Sequence, residues 1–146
     1  MRYLFLLIAL VVCGCEGPPA SKTDSGVPDV AADIKEVPPA EAQPAVSKAY
    51  SQFIDVRTPE EYASGHAARS VNIPLDKLTA DLARVEPNEP VYLICESGGR
   101  SLEAARMLKD AGYNNVVTVA GGMAAWRAAN LPIENEPPHA NRAPVR

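Results

Sequence analysis

The sequence predicts an α/β fold, an open parallel sheet of about four to five strands with helices on both faces. Short apolar segments alternate with segments of helical periodicity between residues 49 and 132. One of them, Val91-Tyr92-Leu93-Ile94, is apolar almost without interruption, as a central parallel strand covered on both faces must be. Turn residues separate the segments, among them Glu86-Pro87-Asn88-Glu89-Pro90, Gly112 and Gly121-Gly122.

Taken in order, Phe53-Ile54-Asp55-Val56 is a short strand pattern. It ends where Thr58-Pro59-Glu60-Glu61 offers a capping box, with Thr58 as N-cap, Pro59 at the first helical position and Glu61 at N3. A short helix is expected to run from there toward Gly65. Val71-Asn72-Ile73 is a second strand, stopped by Pro74, after which Leu75, Leu78, Leu82 and Val85 recur at helical spacing. Strand Val91–Ile94 follows, with Cys95 at its C-terminal end. Leu102, Ala105, Leu108 and Ala111 mark one face of a helix that Gly112 terminates. Val116-Val117-Thr118-Val119 is the next strand, and Gly121-Gly122 turns the chain into a last helix ending near Asn130-Leu131-Pro132. Met123 and Trp126 of that helix read as core. Ligands bind such sheets at the C-terminal strand ends, and Cys95 lies at that place.

Length and composition suit one small domain: 146 residues, 47% of them hydrophobic. Asp and Glu number 18 against 14 Lys and Arg, a net charge of -4, and no basic stretch carries interleaved aromatics, which argues against nucleic acid as a partner. Arg2 followed by the apolar run Tyr3 to Val12 reads as an export signal, since a membrane span needs about 20 apolar residues and Gly17-Pro18-Pro19 ends this run early. Val12-Cys13-Gly14-Cys15 resembles the lipobox of bacterial lipoproteins, with Cys15 as the lipidated residue; Cys13 fits badly because branched Val12 precedes it. An ordinary secretory signal is the plainer alternative. Two or more acyl chains on Cys15 would anchor the chain stably to a membrane surface without spanning it. The expected location is the bacterial cell envelope, facing the periplasm, with Glu16 favouring the outer membrane because an Asp there would resemble an inner-membrane retention signal.

The expected organisation is therefore a cleaved signal over 1–14, a Pro-rich disordered tether over 15–48, a folded domain over 49–132 and a disordered tail over 133–146. The tether expectation rests on Pro18, Pro19, Pro28, Pro38, Pro39 and Pro44, scattered acids and the absence of aromatic residues. Its alternative is that part of the segment packs as an edge strand. Of the three cysteines, Cys13 would leave with the signal and Cys15 would carry lipid, so Cys95 is the remaining thiol and no intramolecular disulfide is expected. A free thiol in an oxidising compartment needs a chemical reason.

The loop Cys95-Glu96-Ser97-Gly98-Gly99-Arg100-Ser101 supplies one. It joins a strand to a helix N-terminus, where backbone N–H groups and the helix dipole favour negative charge. Gly98 and Gly99 permit the positive φ values that a tight ring of inward N–H groups requires. Arg100 adds a permanent charge, and both effects favour the nucleophilic thiolate.

Over about residues 49 to 132 the chain resembles a single-domain rhodanese. Asp55-Val56-Arg57 with Pro59-Glu60-Glu61-Tyr62 is similar to that family's opening motif, Gly65-His66 and Asn72-Ile73-Pro74-Leu75 to its next two elements, and Cys95 to Ser101 to its active-site loop. Gly112-Tyr113, Ala120-Gly121-Gly122 and Trp126 complete the pattern. The resemblance implies a thiosulfate sulfurtransferase in which Cys95 attacks the outer sulfur of thiosulfate or a related donor, releases sulfite and holds a persulfide for a thiophilic acceptor. It implies no metal and no organic cofactor. Partners would be small sulfur-containing anions, cyanide in vitro and thiols in vivo, including a thiol-bearing partner protein. Asp55, Arg57 and His66 are expected to brace the loop, and no general base is needed for a thiol already ionised. Glu96 is expected to oppose Arg100 and weaken an anionic donor. Arg69 stands where relatives often carry Gly, on an expected surface turn.

Two rival readings separate by chemistry. Cysteine phosphatases also cradle an anion between Cys and Arg, but their loops hold one residue more than the four that Cys95 and Arg100 enclose. A sulfur-relay or persulfide-binding module would load sulfur at Cys95 from a partner and turn over free substrates slowly.

Overall fold

The computed structural model describes residues 34–135. In chain order the elements are β1 (Lys35–Val37), α1 (Pro39–Val46), β2 (Gln52–Asp55), α2 (Pro59–Ala63), β3 (His66–Ala67), β4 (Val71–Asn72), a short 3-10 turn (Leu82–Arg84), β5 (Val91–Ile94), α3 (Gly99–Asp110), β6 (Val116–Val119), α4 (Gly122–Ala128) and β7 (Ile133–Glu134). Five strands form one parallel sheet in the order β1-β6-β5-β2-β4, with the apolar run β5 in the middle. A separate antiparallel pair joins β3 to β7. The predicted α/β class and parallel sheet are both present.

Strand side chains alternate between two cores, as the period of two requires. Ile54, Val56, Leu93, Cys95 and Val116 face α3, where Ala104, Ala105 and Leu108 cover them. Phe53, Ile94 and Val119 face the opposite side, under α1 and α4, with Ala42, Val46, Met123 and Trp126. Phe53 and Trp126 meet there with ring centroids 5.4 Å apart. The Trp126 indole donates its N–H to the Pro132 carbonyl at 3.0 Å, so this large ring is buried without an unsatisfied donor.

Three expectations require correction. The tether expected over 15–48 is folded from residue 35 onward: β1 pairs in parallel with β6 at the sheet edge, and α1 buries Ala42 and Val46. Pro38 and Pro39 allow this because Pro38 is the N-cap and Pro39 is at the helix start, where the missing N–H would have had no partner, whereas Pro44 is inside α1 and removes one of its donors. Val37, Ala42 and Val46 supply the apolar face that overall composition concealed. The expected tail begins too early, since Ile133–Glu134 pairs with His66–Ala67. The segment Leu75 to Val85 is not a helix but a series of tight turns and one 3-10 turn. Its N–H groups mostly reach three residues back, as in Leu78 to Leu75 and Val85 to Leu82. Tyr113 Oη meanwhile donates to the carbonyls of Leu82 and Val85 at 3.2 and 3.0 Å. Leu78 and Val85 are buried nonetheless, so the helical spacing reported burial and not conformation.

The predicted export signal, Cys13, Cys15 and Glu16 lie outside the described residues. Among the described residues no helix is long and apolar enough to cross a membrane.

Candidate active site

Cys95 follows directly on β5, the central strand, and is 1% exposed. Gly98 is the N-cap of α3 at φ +107, a left-handed conformation that turns the backbone sharply between strand and helix. The turn brings the Gly98 N–H to the Cys95 Sγ at 3.1 Å. Ser101 stands on the other side, its Oγ 3.6 Å from the sulfur, and is fixed by donating to the Gly98 carbonyl at 2.8 Å. The sulfur therefore lies at the positive end of a helix of 12 residues whose N-cap has no side chain to compete for its first N–H groups. Gly98 alone of the two loop glycines takes a positive φ; Gly99 is already the first residue of α3. Ser97 and Gly99 are the exposed rim of the loop.

A second helix holds the loop from behind. The N–H groups of Met123 and Ala124, in the first turn of α4, donate to the Cys95 and Glu96 carbonyls at 2.7 and 3.1 Å. Gly122 makes that approach feasible. At φ +56 it is left-handed, and a Cβ there would collide with the Cys95 carbonyl oxygen and come within 2.8 Å of Glu96. Local sequence assigns Gly121-Gly122 only a turn-forming role; their contact with the Cys95 loop is tertiary and has no local signature.

The charged residues of the motifs form braces. Arg57 is 1% exposed, and its guanidinium donates to both Asp55 carboxylate oxygens at 2.8 to 3.0 Å, to the Gly65 carbonyl at 2.9 Å and to Glu96 at 3.1 Å. Burial opposes its charge, but the Asp55 hydrogen bonds and the fields of Asp55, Glu96 and Glu61 outweigh burial and raise its pKa. Asn72, ending β4, donates to the Asp55 and Arg57 carbonyls and locks this corner. His66, expected to brace the loop, contacts other elements instead: it is buried, stacked on Tyr62 at 3.7 Å between ring centroids, with Nδ1 3.0 Å from the Tyr62 carbonyl and Nε2 3.7 Å from the Glu134 carboxylate.

Two electrostatic expectations change. Glu96 does not face Arg100; it bridges Arg57 at 3.1 Å and Arg127 of α4 at 2.7 Å. Arg100 instead makes a two-pronged pair with Glu61, Nη1 and Nη2 donating to its two oxygens at 2.6 and 2.7 Å. Glu61 is the N3 residue of the α2 capping box, so one carboxylate both closes that helix and holds the guanidinium of the Cys95 loop. The Arg100 hydrogen bonds lower the Glu61 pKa to about 2, burial working against them, and Glu61 in turn raises that of Arg100. Arg127 belongs to the site although the sequence did not single it out, and Glu61 belongs to it although the sequence marked it only as a helix cap and a motif residue.

The family profile described as the rhodanese-like domain matches residues 39–129. Thiosulfate sulfurtransferase 18 of Arabidopsis thaliana is 39% identical over 107 residues, spanning 62% of this chain and 78% of that protein. Thiosulfate sulfurtransferase GlpE of Vibrio cholerae is 31% identical over 93 residues, spanning 64% of this chain and 88% of that protein. Among solved structures, a rhodanese-related protein from Thermoplasma volcanium superposes with a TM-score of 0.65 at 29% identity, over 70% of this chain and 100% of its own.

Proposed function

Because the chain belongs to the rhodanese-like domain family, we propose that it is a sulfurtransferase that carries sulfane sulfur as a persulfide on Cys95. The observation that carries this reading is the Gly98 N–H directed at the Cys95 sulfur at 3.1 Å, at the head of α3. With thiosulfate, the Cys95 thiolate attacks the outer sulfur and the S–S bond of the donor breaks. Sulfite leaves with the bonding pair, and the new Cys95–S–S⁻ is redox-neutral with respect to the pair of reactants. The amide and the helix end then stabilise the anionic persulfide as preorganised donors, in the way an oxyanion hole does. A thiophilic acceptor, cyanide in vitro or a thiol, takes the outer sulfur and returns the thiolate. The names of the thiosulfate sulfurtransferase relatives support the same chemistry.

Mass spectrometry of the chain without residues 1–15 tests it. After exposure to thiosulfate, polysulfide or a mercapto-acid donor the protein should gain the mass of one sulfur, and cyanide should remove it. Cys95→Ser should gain none and should have no sulfurtransferase activity, because a hydroxyl does not ionise near neutral pH and forms no persulfide. A wild-type protein that takes up no cyanide-labile sulfur from any of these donors overturns the reading.

The proposed setting is a membrane surface in the bacterial envelope, through a lipid on Cys15. The motif ending in Gly14-Cys15 behind a short apolar run supports it. The membrane fraction should yield an N-terminal peptide beginning at acylated Cys15, and a mature protein starting elsewhere and unmodified removes the anchor from the proposal.

A further inference from the structure

Among the described residues, every guanidinium whose contacts tie into the Cys95 loop is already held by a carboxylate. Arg57 holds Asp55 and Glu96, Arg127 holds Glu96, and Arg100 holds Glu61. The shell is three cations against three anions, so before the thiolate is counted its formal charge is zero. Glu96 is the member that makes the balance unusual, because it is inside the loop itself, next to the nucleophile, and reaches two arginines at once. Asp55 already satisfies Arg57 with paired hydrogen bonds, and the Gly65 carbonyl takes a further one. The loop's own structure does not depend on the Glu96 side chain for its turn, which rests on Gly98 and on the α4 N–H groups that bind the Cys95 and Glu96 carbonyls. The Glu96 carboxylate is 42% exposed and Arg127 38%, so this charge, one residue from Cys95 in the chain, is open to solvent and to a charged donor.

We infer that Glu96 is a specificity-determining residue that sets the site toward sulfur donors of low charge, hydropersulfides of the R–S–SH class, and against dianionic thiosulfate. This rests on the Cys95 persulfide chemistry proposed above and names its substrate class. The step balances without a further reactant. The Cys95 thiolate attacks the outer sulfur of R–S–SH, the donor S–S bond breaks, R–S⁻ leaves with the electron pair, and the outer sulfur arrives on Cys95 with its proton. A hydropersulfide sulfur brings at most one negative charge into a shell that has none to spare, whereas thiosulfate brings two past the Glu96 carboxylate. In Glu96→Gln the amide keeps the shape, the shell becomes net positive by one, and Arg127 loses its carboxylate partner.

The test compares rates of Cys95 persulfide formation, read as added sulfur by mass spectrometry, with dianionic thiosulfate and with cysteine hydropersulfide, whose net charge does not exceed minus one. Glu96→Gln is expected to raise the thiosulfate rate constant on the order of tenfold, the size of one unit charge acting on a dianion at the protein surface, and the hydropersulfide rate by no more than about threefold, since that donor carries at most half the charge. The gain should shrink as salt rises, since both partners are exposed. Arg127→Gln should move thiosulfate in the opposite direction, and this exposed substitution decides the matter if Glu96→Gln does not fold. An unchanged ratio of the two donors in the variant that folds, or a change that is equal for both and indifferent to salt, overturns the assignment of Glu96. Wild type that loads sulfur from neither donor overturns the persulfide chemistry itself, a different result.

Discussion

Helices α3 and α4 enter their first turns alike and use them differently. Each follows a parallel strand, β5 or β6, and each has a left-handed glycine as N-cap with no side-chain capping bond, Gly98 at φ +107 and Gly121 at φ +66. The first turn of α4 donates N–H groups to the carbonyls of Cys95 and Glu96. At α3 it is the N-cap amide that reaches the Cys95 sulfur. Both sets of donors converge on the same few atoms of chain, one on the backbone oxygens and one on the side chain. The helix that fixes the loop is thus a different one from the helix that addresses the nucleophile, and a glycine is required in both for different reasons: in α4 for space, in α3 for conformation.

Alanine at each position separates those reasons, and the larger effect belongs to α4. Gly122→Ala adds a Cβ that collides with the Cys95 carbonyl, in addition to the strain of φ +56. It should destabilise the fold by about 2 to 4 kcal/mol in urea denaturation and abolish sulfur loading, because the loop must move to admit it. Gly98→Ala meets no atom nearer than the Gly121 nitrogen at 3.8 Å, so its cost is conformational, about 1 to 2 kcal/mol. Its effect on loading should exceed its effect on stability, since relaxing φ turns the amide away from the sulfur. A Gly98→Ala protein less stable than Gly122→Ala would reverse this division of roles.

The same contrast marks what sequence patterns could disclose. The parallel sheet was legible because β5 is an apolar run, and the α2 start was legible because a capping box is a local pattern: Thr58 Oγ accepts from the Glu61 N–H at 3.3 Å and the Glu61 carboxylate from the Thr58 N–H at 3.0 Å. Cys95 and its loop were legible for the same reason, strand end, glycine and helix start being contiguous. What was not legible depends on residues far apart in the chain. Glu96 meets Arg127, and Arg100 meets Glu61, only once the sheet brings the C-terminal strand ends together, and no spacing rule encodes either pair. β1 and α1 were concealed for another reason: their prolines depress the apparent capacity to fold, although Pro38 and Pro39 occupy positions where a proline costs nothing. Arg69 shows a partial signal. Its φ of +70 explains why a glycine suits that turn, while the Arg69 guanidinium, donating to the Ser47 carbonyl at 2.6 Å, could not have been anticipated.

The smallest expected effect concerns the carboxylate that joins the two kinds of helix start. Glu61 closes α2 as a capping residue and grips Arg100 at the head of α3, so its two roles must be separated before either can be measured. Glu61→Gln does this, because glutamine serves equally at N3 of a capping box but cannot form the ion pair. The folded-state pKa of Glu61 is lowered to about 2 from 4.5, and a group so depressed contributes stability that is fully present above 4.5 and lost as pH falls through about 2. Wild type should therefore melt slightly above Glu61→Gln at neutral pH, by a margin worth under about 1 kcal/mol since both partners are roughly a third exposed. That margin should hold constant down to about pH 4.5 and close toward pH 2, with the other carboxylates cancelling because both proteins carry them. Parallel melting curves across that range, with a gap that never closes, would mean that the amide of the variant disturbs the cap and that the grip on Arg100 adds nothing to the stability of the fold.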